Sequence, residues 1–210
     1  MPKIRVLDTE GRWNPTGADE YLWWPRVHWI DPGTVSGVAT IWFDPHALLV
    51  AGATTPKVLL AYSEMFLHGP ENGRLGQVDQ FLRMREALDQ EVGLATGCES
   101  FTIRQLNQSE EFVSPIRIRA ALDYALSRTK PFGATAIGTG VPLYVQSPSD
   151  AKNAFSNDRL KQLRMYREGP DHVNDAKRHG LLFIRRLKGE SKDKIAHFKS
   201  IFGDEPGWGL

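Results

Sequence analysis

The segment His28-Trp29-Ile30-Asp31-Pro32-Gly33-Thr34-Val35-Ser36-Gly37-Val38-Ala39 constrains this chain more than any other. An apolar run reaches an aspartate, a Pro-Gly-Thr turn follows, and a second β-rich run opens on a glycine. The pattern predicts an antiparallel hairpin with residues 27–30 and 37–43 as its strands. It also fixes one carboxylate, Asp31, at the end of a rigid sheet element. A carboxylate is costly to bury without a partner, so Asp31 reads either as a turn-capping residue or as a ligand for a cation.

Further along, residues 48–54 read as a third strand. Residues 57–64 (KVLLAYSE) read as a buried parallel strand ending in a second carboxylate, Glu64, 33 positions after Asp31. Residues 69–76 form a Gly/Asn-rich loop, after which Val78, Phe81, Leu82 and Leu88 recur at helical spacing, with Arg85 at the stripe's edge. Ser114 as N-cap and Pro115 in the first turn mark another helix, with Ile118, Ala121, Leu122 and Ala125 on one face. Residues 141–146 read as a strand and 158–166 as a short helix. Gly169-Pro170 introduces the last strong helix, whose apolar stripe is Ala176, Gly180, Phe183, Ile184 and Leu187. The glycine in that stripe permits close approach to a sheet. A short helix is expected near residues 195–202.

The resulting expectation is an α/β fold in which a mixed five-stranded sheet, three antiparallel strands and then parallel ones, is flanked by helices. Residues 1–24 read as an N-terminal tail and 25–188 as the domain. Within it, about 69–113 is an insertion or helical embellishment, and 189–210 is a C-terminal tail. At 210 residues, 41% hydrophobic and 24% charged, the chain suits one domain with a sizeable core. No apolar run is long enough to span a bilayer and no signal-peptide pattern opens the chain, so no membrane partner is expected. Cys98 is the only cysteine. It excludes an internal disulfide and a cysteine-based zinc site and suits a reducing, cytoplasmic setting.

The net charge of +1 conceals an asymmetry. Residues 152–188 carry ten Lys or Arg against four Asp or Glu, whereas residues 62–111 carry four against nine. The basic third is either a phosphate-facing surface or a solvated helical face. Lys152, Lys161, Arg164, Arg167, Arg178, Arg185 and Arg186 are its candidates for DNA-backbone contacts. Trp23, Trp24 and Trp29 could stack on bases, but packing in the core or tail is the better explanation of them.

His172 and Asp175 stand at i and i+3 in the last helix and project from one face. His179, at i+7 from His172, extends that face. A His–Asp pair of this kind is often a helix-start or surface arrangement. Its interest lies in the conjunction with two strand-end carboxylates, because phosphodiester hydrolysis with divalent cations needs carboxylates that converge.

Four segments in order resemble one family. IDPGTVSGVA resembles the first-strand motif of RuvC-type Holliday-junction resolvases, members of the ribonuclease-H-like superfamily. LLAYSE resembles their acid-bearing fourth strand, Gln146-Ser147-Pro148-Ser149-Asp150-Ala151-Lys152 their fifth-strand Gln-x-Pro…Lys segment, and HVNDAKRH their final His-x-x-Asp helix. The set covers about residues 27–188 and is most similar to the shortened proteins of actinobacteriophages. The resemblance implies a ribonuclease-H-like fold and a structure-selective DNA endonuclease acting on Holliday junctions or other branched DNA. It further implies two Mg²⁺ or Mn²⁺ ions held by Asp31, Glu64, His172 and Asp175, with Lys152 at the scissile phosphate. Branched or single-stranded DNA and a homodimeric partner are the implied partners, and the host cytoplasm is the implied location if a phage encodes the chain.

Two departures from the family pattern stand out. The helix between the third and fourth strands has little room here, and Phe66, two positions after Glu64, matches the family's aromatic junction wedge only in neighbourhood. Other readings of the same residues are a ribonuclease H acting on RNA–DNA hybrids and a branched-DNA-binding protein without catalysis. A nuclease subunit of a packaging motor would need a partner ATPase, because no Walker motif is present. A sugar-kinase-like or actin-like ATPase shares the Asp-x-Gly-Thr turn but needs a second phosphate loop and a longer chain.

Overall fold

The hairpin dictated by the Pro-Gly-Thr turn forms the middle of the sheet. A computed structural model describes residues 5–6, 24–49, 60–68, 82, 94–101, 110–128, 142–188, 193–203 and 210. After the two-residue β1 (Arg5–Val6), β2 (Arg26–Asp31) runs antiparallel to β3 (Val35–Phe43), with Arg26 opposite Trp42 and Asp31 opposite Gly37. The Ser36 hydroxyl accepts from the Gly33 amide at 3.1 Å and closes the turn. A short helix α1 (Pro45–Leu49) follows, then β4 (Leu60–His68) and β5 (Leu94–Glu99). Next come α2 (Glu110–Ser127), β6 (Leu143–Gln146), α3 (Pro148–Ala154) and α4 (Asn157–Gln162). The chain ends with α5 (His172–Leu187) and α6 (Lys194–Phe202).

Among the described residues the sheet has six strands in the order β1-β4-β3-β2-β5-β6. The pairs β1–β4, β4–β3 and β3–β2 are antiparallel, whereas β2–β5 and β5–β6 are parallel. Strand β2 is buried along its whole length because helices cover both faces. On one face Val27 and Trp29 join Ile41 and Phe43 against Leu181, Phe183, Ile184 and Leu187 of α5 and Phe198 and Phe202 of α6. On the other face Ile30, Val38 and Cys98 pack on Ile118 and Leu122 of α2. The alternation of side chains along β2 sorts its residues between the two layers. Each fully buried Leu, Ile or Phe contributes roughly 1.5–3 kcal/mol.

The mixed α/β layout follows the sequence expectation, but the number and identity of the strands do not. Among the described residues the sheet has six strands where five were expected. Arg5–Val6, inside the presumed N-terminal tail, pairs with Tyr62 and Ala61 at the β4 edge, Leu94–Glu99 adds a further strand, and no described residue of 48–54 is in a strand. The start of the expected third strand is helical: Asp44 Oδ1 accepts from the amides of His46 (2.9 Å) and Ala47 (3.2 Å) and nucleates α1. Residues 50–59 of that region lie outside the described residues.

The expected parallel strand at 57–64 is β4, which runs antiparallel to β3. The parallel neighbour of β2 is β5, from within the presumed insertion. An apolar run does not encode its direction, which is decided by the strand it pairs with. Helix α2 starts ahead of Ser114, whose hydroxyl is buried without a hydrogen-bond partner instead of capping, and Pro115 lies inside the helix. The C-terminal region is not merely a tail: Asp193 caps α6, and Phe198 and Phe202 pack edge-on against Phe43 at 6.1 and 5.6 Å. Apart from Leu82, the expected helix at 78–88 lies outside the described residues, as does the 69–76 loop.

Candidate metal centre

Three carboxylates meet where β2, β5 and α5 converge. Asp31 is the last residue of β2 and Glu99 the last of β5, and the parallel register (Ile30 beside Cys98) brings the two strand ends together. Ile30 and Cys98 face α2, so the next residue on each strand faces α5. Asp175 joins from the first turn of α5. One oxygen from each of Asp31, Glu99 and Asp175 can be chosen such that all lie within 4.8 Å of one another.

Bringing α5 so close requires Gly37. A Cβ there would lie 2.1 Å from the His172 carbonyl carbon and 2.2 Å from its oxygen, which only a glycine avoids. Gly180 does the same further along, where a Cβ would sit 2.9 Å from Ile41 Cδ1, as its place in the apolar stripe implies. Helix α5 is therefore seated directly on the hairpin, and its first turn delivers His172 and Asp175 to the strand ends.

The electrostatics of the cluster favour a cation. Burial, opposed by the hydrogen bond from His172 and reinforced by Glu99 and Asp175, pushes the Asp31 carboxyl up to about 6. His172 Nδ1 lies 2.8 Å from Asp31 Oδ2, and that hydrogen bond raises the imidazole above its ordinary value against the opposing effect of burial. Asp175 is neutralised from its other side. Arg178, itself 4% exposed, donates to Asp175, to the Asn157 side chain and to the Phe155 carbonyl (3.1 Å), while Lys152 Nζ lies 3.3 Å from Asp175 Oδ2. Three oxygen donors crowded at one buried spot fit a hard divalent ion such as Mg²⁺ or Mn²⁺.

The sequence-predicted residues divide accordingly. Asp31, His172, Asp175 and Lys152 are brought together, with His172 reaching the cluster through Asp31. Glu64 was expected at the end of a parallel strand, but it stands mid-way along β4, in register with Ala39 and, across β3, Trp29. The strand-end place beside Asp31 belongs to Glu99, which sequence reasoning missed. Its signal was present in Leu94-Ala-Thr-Gly-Cys-Glu99, a short β-compatible run ending in a carboxylate, but it was hidden inside a segment read as an insertion. Phe66 occupies the register row of Gly37 and Asp31, two strands from the acid.

Of the basic candidates, Arg178 is not a surface cation, since its guanidinium is buried and committed to Asp175. Lys161 is exposed, 3.9 Å from Asp158 and over the Tyr166 ring at 5.1 Å. Arg186 reaches Asp150 at 3.1 Å, and Arg164, Arg167 and Arg185 lie at the surface. Trp29 is a core residue, 1% exposed.

No family model and no curated protein matches the chain. Among solved structures it is similar to Thermus thermophilus RuvC, at 19% identity and a TM-score of 0.49, with 77% of this chain and 96% of that one covered. It is also similar to T. thermophilus RuvC in complex with a Holliday junction substrate, at 17% identity and a TM-score of 0.46, covering 78% and 96%. Among the described residues, no helix is long and apolar enough to cross a membrane.

Proposed function

We propose that this chain is a metal-dependent DNA endonuclease that hydrolyses phosphodiester bonds in branched DNA, with Holliday junctions as the leading substrate. The observation that carries the reading is the convergence of Asp31, Glu99 and Asp175 at the ends of two parallel strands and the start of a helix. Three of the ordered segments that resemble RuvC-type resolvases, IDPGTVSGVA, residues 146–152 and HVNDAKRH, support it as well, whereas LLAYSE supplies the start of the antiparallel β4 and does not.

In this reading Asp31, Glu99 and Asp175 hold Mg²⁺ or Mn²⁺, with two ions serving the reaction. Bound there, the cations supply a water acidified for attack and compensation of charge on the phosphate. The chain's own groups do the rest. His172 holds one oxygen of Asp31 and leaves the other for a ligand. Arg178 offsets part of the negative charge and fixes the orientation of Asp175. Lys152, with a side chain 55% exposed beside the cluster, can turn towards an incoming phosphate. The surface cations Lys161, Arg164, Arg167, Arg185 and Arg186 contact the DNA backbone and position it without reading sequence. A homodimer with two-fold-related sites would pair two incisions across a four-way junction.

The test is cleavage of labelled four-way junction, splayed fork, duplex, single strand and RNA–DNA hybrid with Mg²⁺ or Mn²⁺, alongside Asp31→Asn and Glu99→Gln. Symmetric metal-dependent nicks in the junction, absent in both variants, are expected. Cleavage of the hybrid alone would reassign the chain as a ribonuclease H. Junction binding without cleavage of any substrate would make it a binding protein.

A further inference from the structure

His179 lies one helical turn beyond Asp175 on α5 and is not part of the carboxylate cluster. Its ring is 1% exposed, and both of its nitrogens are engaged. Nε2 lies 3.0 Å from Glu99 Oε2 and Nδ1 3.1 Å from Gln146 Oε1. The ring stacks flat on Trp29, with centroids 5.6 Å apart and planes 5° from parallel. Trp29 is in turn wedged against Phe183, at 5.7 Å. Each degree of freedom of the imidazole is therefore fixed: its plane by Trp29, its rotation within that plane by Gln146, and its distance from the sheet by α5.

Glu99 presents the opposite case. Its side chain is 19% exposed, and it is longer than either aspartate, with one more rotatable bond. A glutamate in this position needs an anchor to keep one oxygen on the cluster. Gln146 carries both a donor and an acceptor, so it can satisfy Nδ1 in either protonation state of that nitrogen. Nε2–H is then left to donate to Glu99.

We infer that His179 is the positioning residue for Glu99: its Nε2–H holds Oε2 and turns the other carboxylate oxygen to the cation. This inference rests on the metal-centre reading above and extends it to a buried assembly of Trp29, Gln146 and His179. Partners of this kind around a metal ligand typically change affinity about 10–100-fold when removed.

The test uses the full chain and Mn²⁺ binding by calorimetry, with thermal melting in parallel. His179→Gln places an amide donor near the position of Nε2, His179→Asn places one near Nδ1, and His179→Phe keeps the stack on Trp29 while removing both donors. The expected result is that Gln retains affinity within about three-fold, while Asn and Phe lose about 10–100-fold, whatever their melting temperatures. Equal losses in Gln and Asn, or losses that track melting temperature across all three, would make His179 a packing residue and overturn the inference. Wild-type affinity in all three would overturn it too, with the metal centre left intact if Glu99→Gln still abolishes binding. If the wild-type protein binds no Mn²⁺, the metal-centre reading itself fails and this inference falls with it.

Discussion

The two faces of β2 bury polar groups three residues apart and treat them in opposite ways. On the α5 face Asp31 ends the strand among Glu99 and Asp175, and its carboxyl is pushed up to about 6. His28 meets Thr40 Oγ1 at 2.6 Å and, held neutral by burial and by the nearby Arg26 charge, is pushed down to about 4. Both pay desolvation, but only Asp31 sits where several groups of the same charge have been gathered. Its neighbours are two further carboxylates and the His172 imidazole, a set able to hold a cation. The environment of His28 supplies one hydroxyl to Nδ1, leaves Nε2 buried without a hydrogen-bond partner, and gathers no charge that the neutral ring would need balanced. A buried polar group is therefore a functional candidate when its neighbours deepen its electrostatic problem rather than solve it.

Activity breaks this comparison most sharply. Asp31→Asn and Asp175→Asn are each expected to lower the metal-dependent cleavage rate on the order of 10³-fold, about 4 kcal/mol of lost charge stabilisation. His28→Leu should leave the rate at pH 7.5 within about three-fold, measured as single-turnover nicking. If His28→Leu were as damaging as Asp31→Asn, the division into a chemical and a structural face would collapse.

Seating of α5 comes next in size. Gly37→Ala drives a methyl into the His172 backbone and is expected to cost about 1–3 kcal/mol by overpacking, with Mn²⁺ affinity falling as well. Leu122→Ala, on the α2 side, should cost about 2–5 kcal/mol of stability while folded protein keeps its Mn²⁺ affinity. Urea melts and calorimetry on both variants separate the two faces.

The pH dependence of stability sharpens the comparison further, because the two groups act with opposite sign. For His28 the folded value of about 4 lies below the ordinary 6.5, so its contribution is present above pH 6.5 and is lost as pH falls towards 4. For Asp31 the folded value of about 6 lies above the ordinary 3.8, so stability is present below 3.8 and is lost as pH rises through 6. Each effect reaches about 3 kcal/mol, and between roughly pH 4 and 6.5 they offset one another. In metal-free protein, His28→Leu should expose a stability that falls with rising pH, and Asp31→Asn one that rises. Asp31→Asn should also be more stable than wild type at pH 7 by about 1–3 kcal/mol, a gap that Mn²⁺ closes. Parallel slopes in the two variants would refute the assignment.

The smallest effect belongs to the exposed cations. Arg185→Ala should weaken junction binding about three- to ten-fold, with the loss shrinking as salt rises and no change in Mn²⁺ affinity. A gel-shift series over ionic strength reads both.

Much of the architecture was legible because local chemistry leaves few alternatives. Asp31-Pro-Gly-Thr admits a hairpin, and the spacing of Ala176, Gly180, Phe183, Ile184 and Leu187 admits an amphipathic helix that can lie close to a sheet. Asp31 was therefore placed by its turn and His172 and Asp175 by their i, i+3 spacing, while their conjunction and the resemblance to RuvC-type resolvases, not any one context, linked them as a site. Glu64 and Glu99 could not be separated in the same way. Both follow short apolar runs, and choosing between them required knowing which strand lies parallel beside β2. Arg178 and Lys161 likewise look alike on a helix in sequence, yet one is buried against Asp175 and the other is exposed.

The sequence by itself determined the hairpin and the closing helix, and with them the local setting of Asp31, His172 and Asp175, because turn chemistry and 3.6-residue periodicity act over a few neighbouring residues. Only the tertiary structure decided that β5 is the parallel neighbour of β2, that Glu99 completes the acidic group, and that His179 meets Glu99 across the core. Those pairings join residues 80 or more positions apart in places, and they are set by which buried faces fit together, a property of the whole packed molecule and not of any one segment.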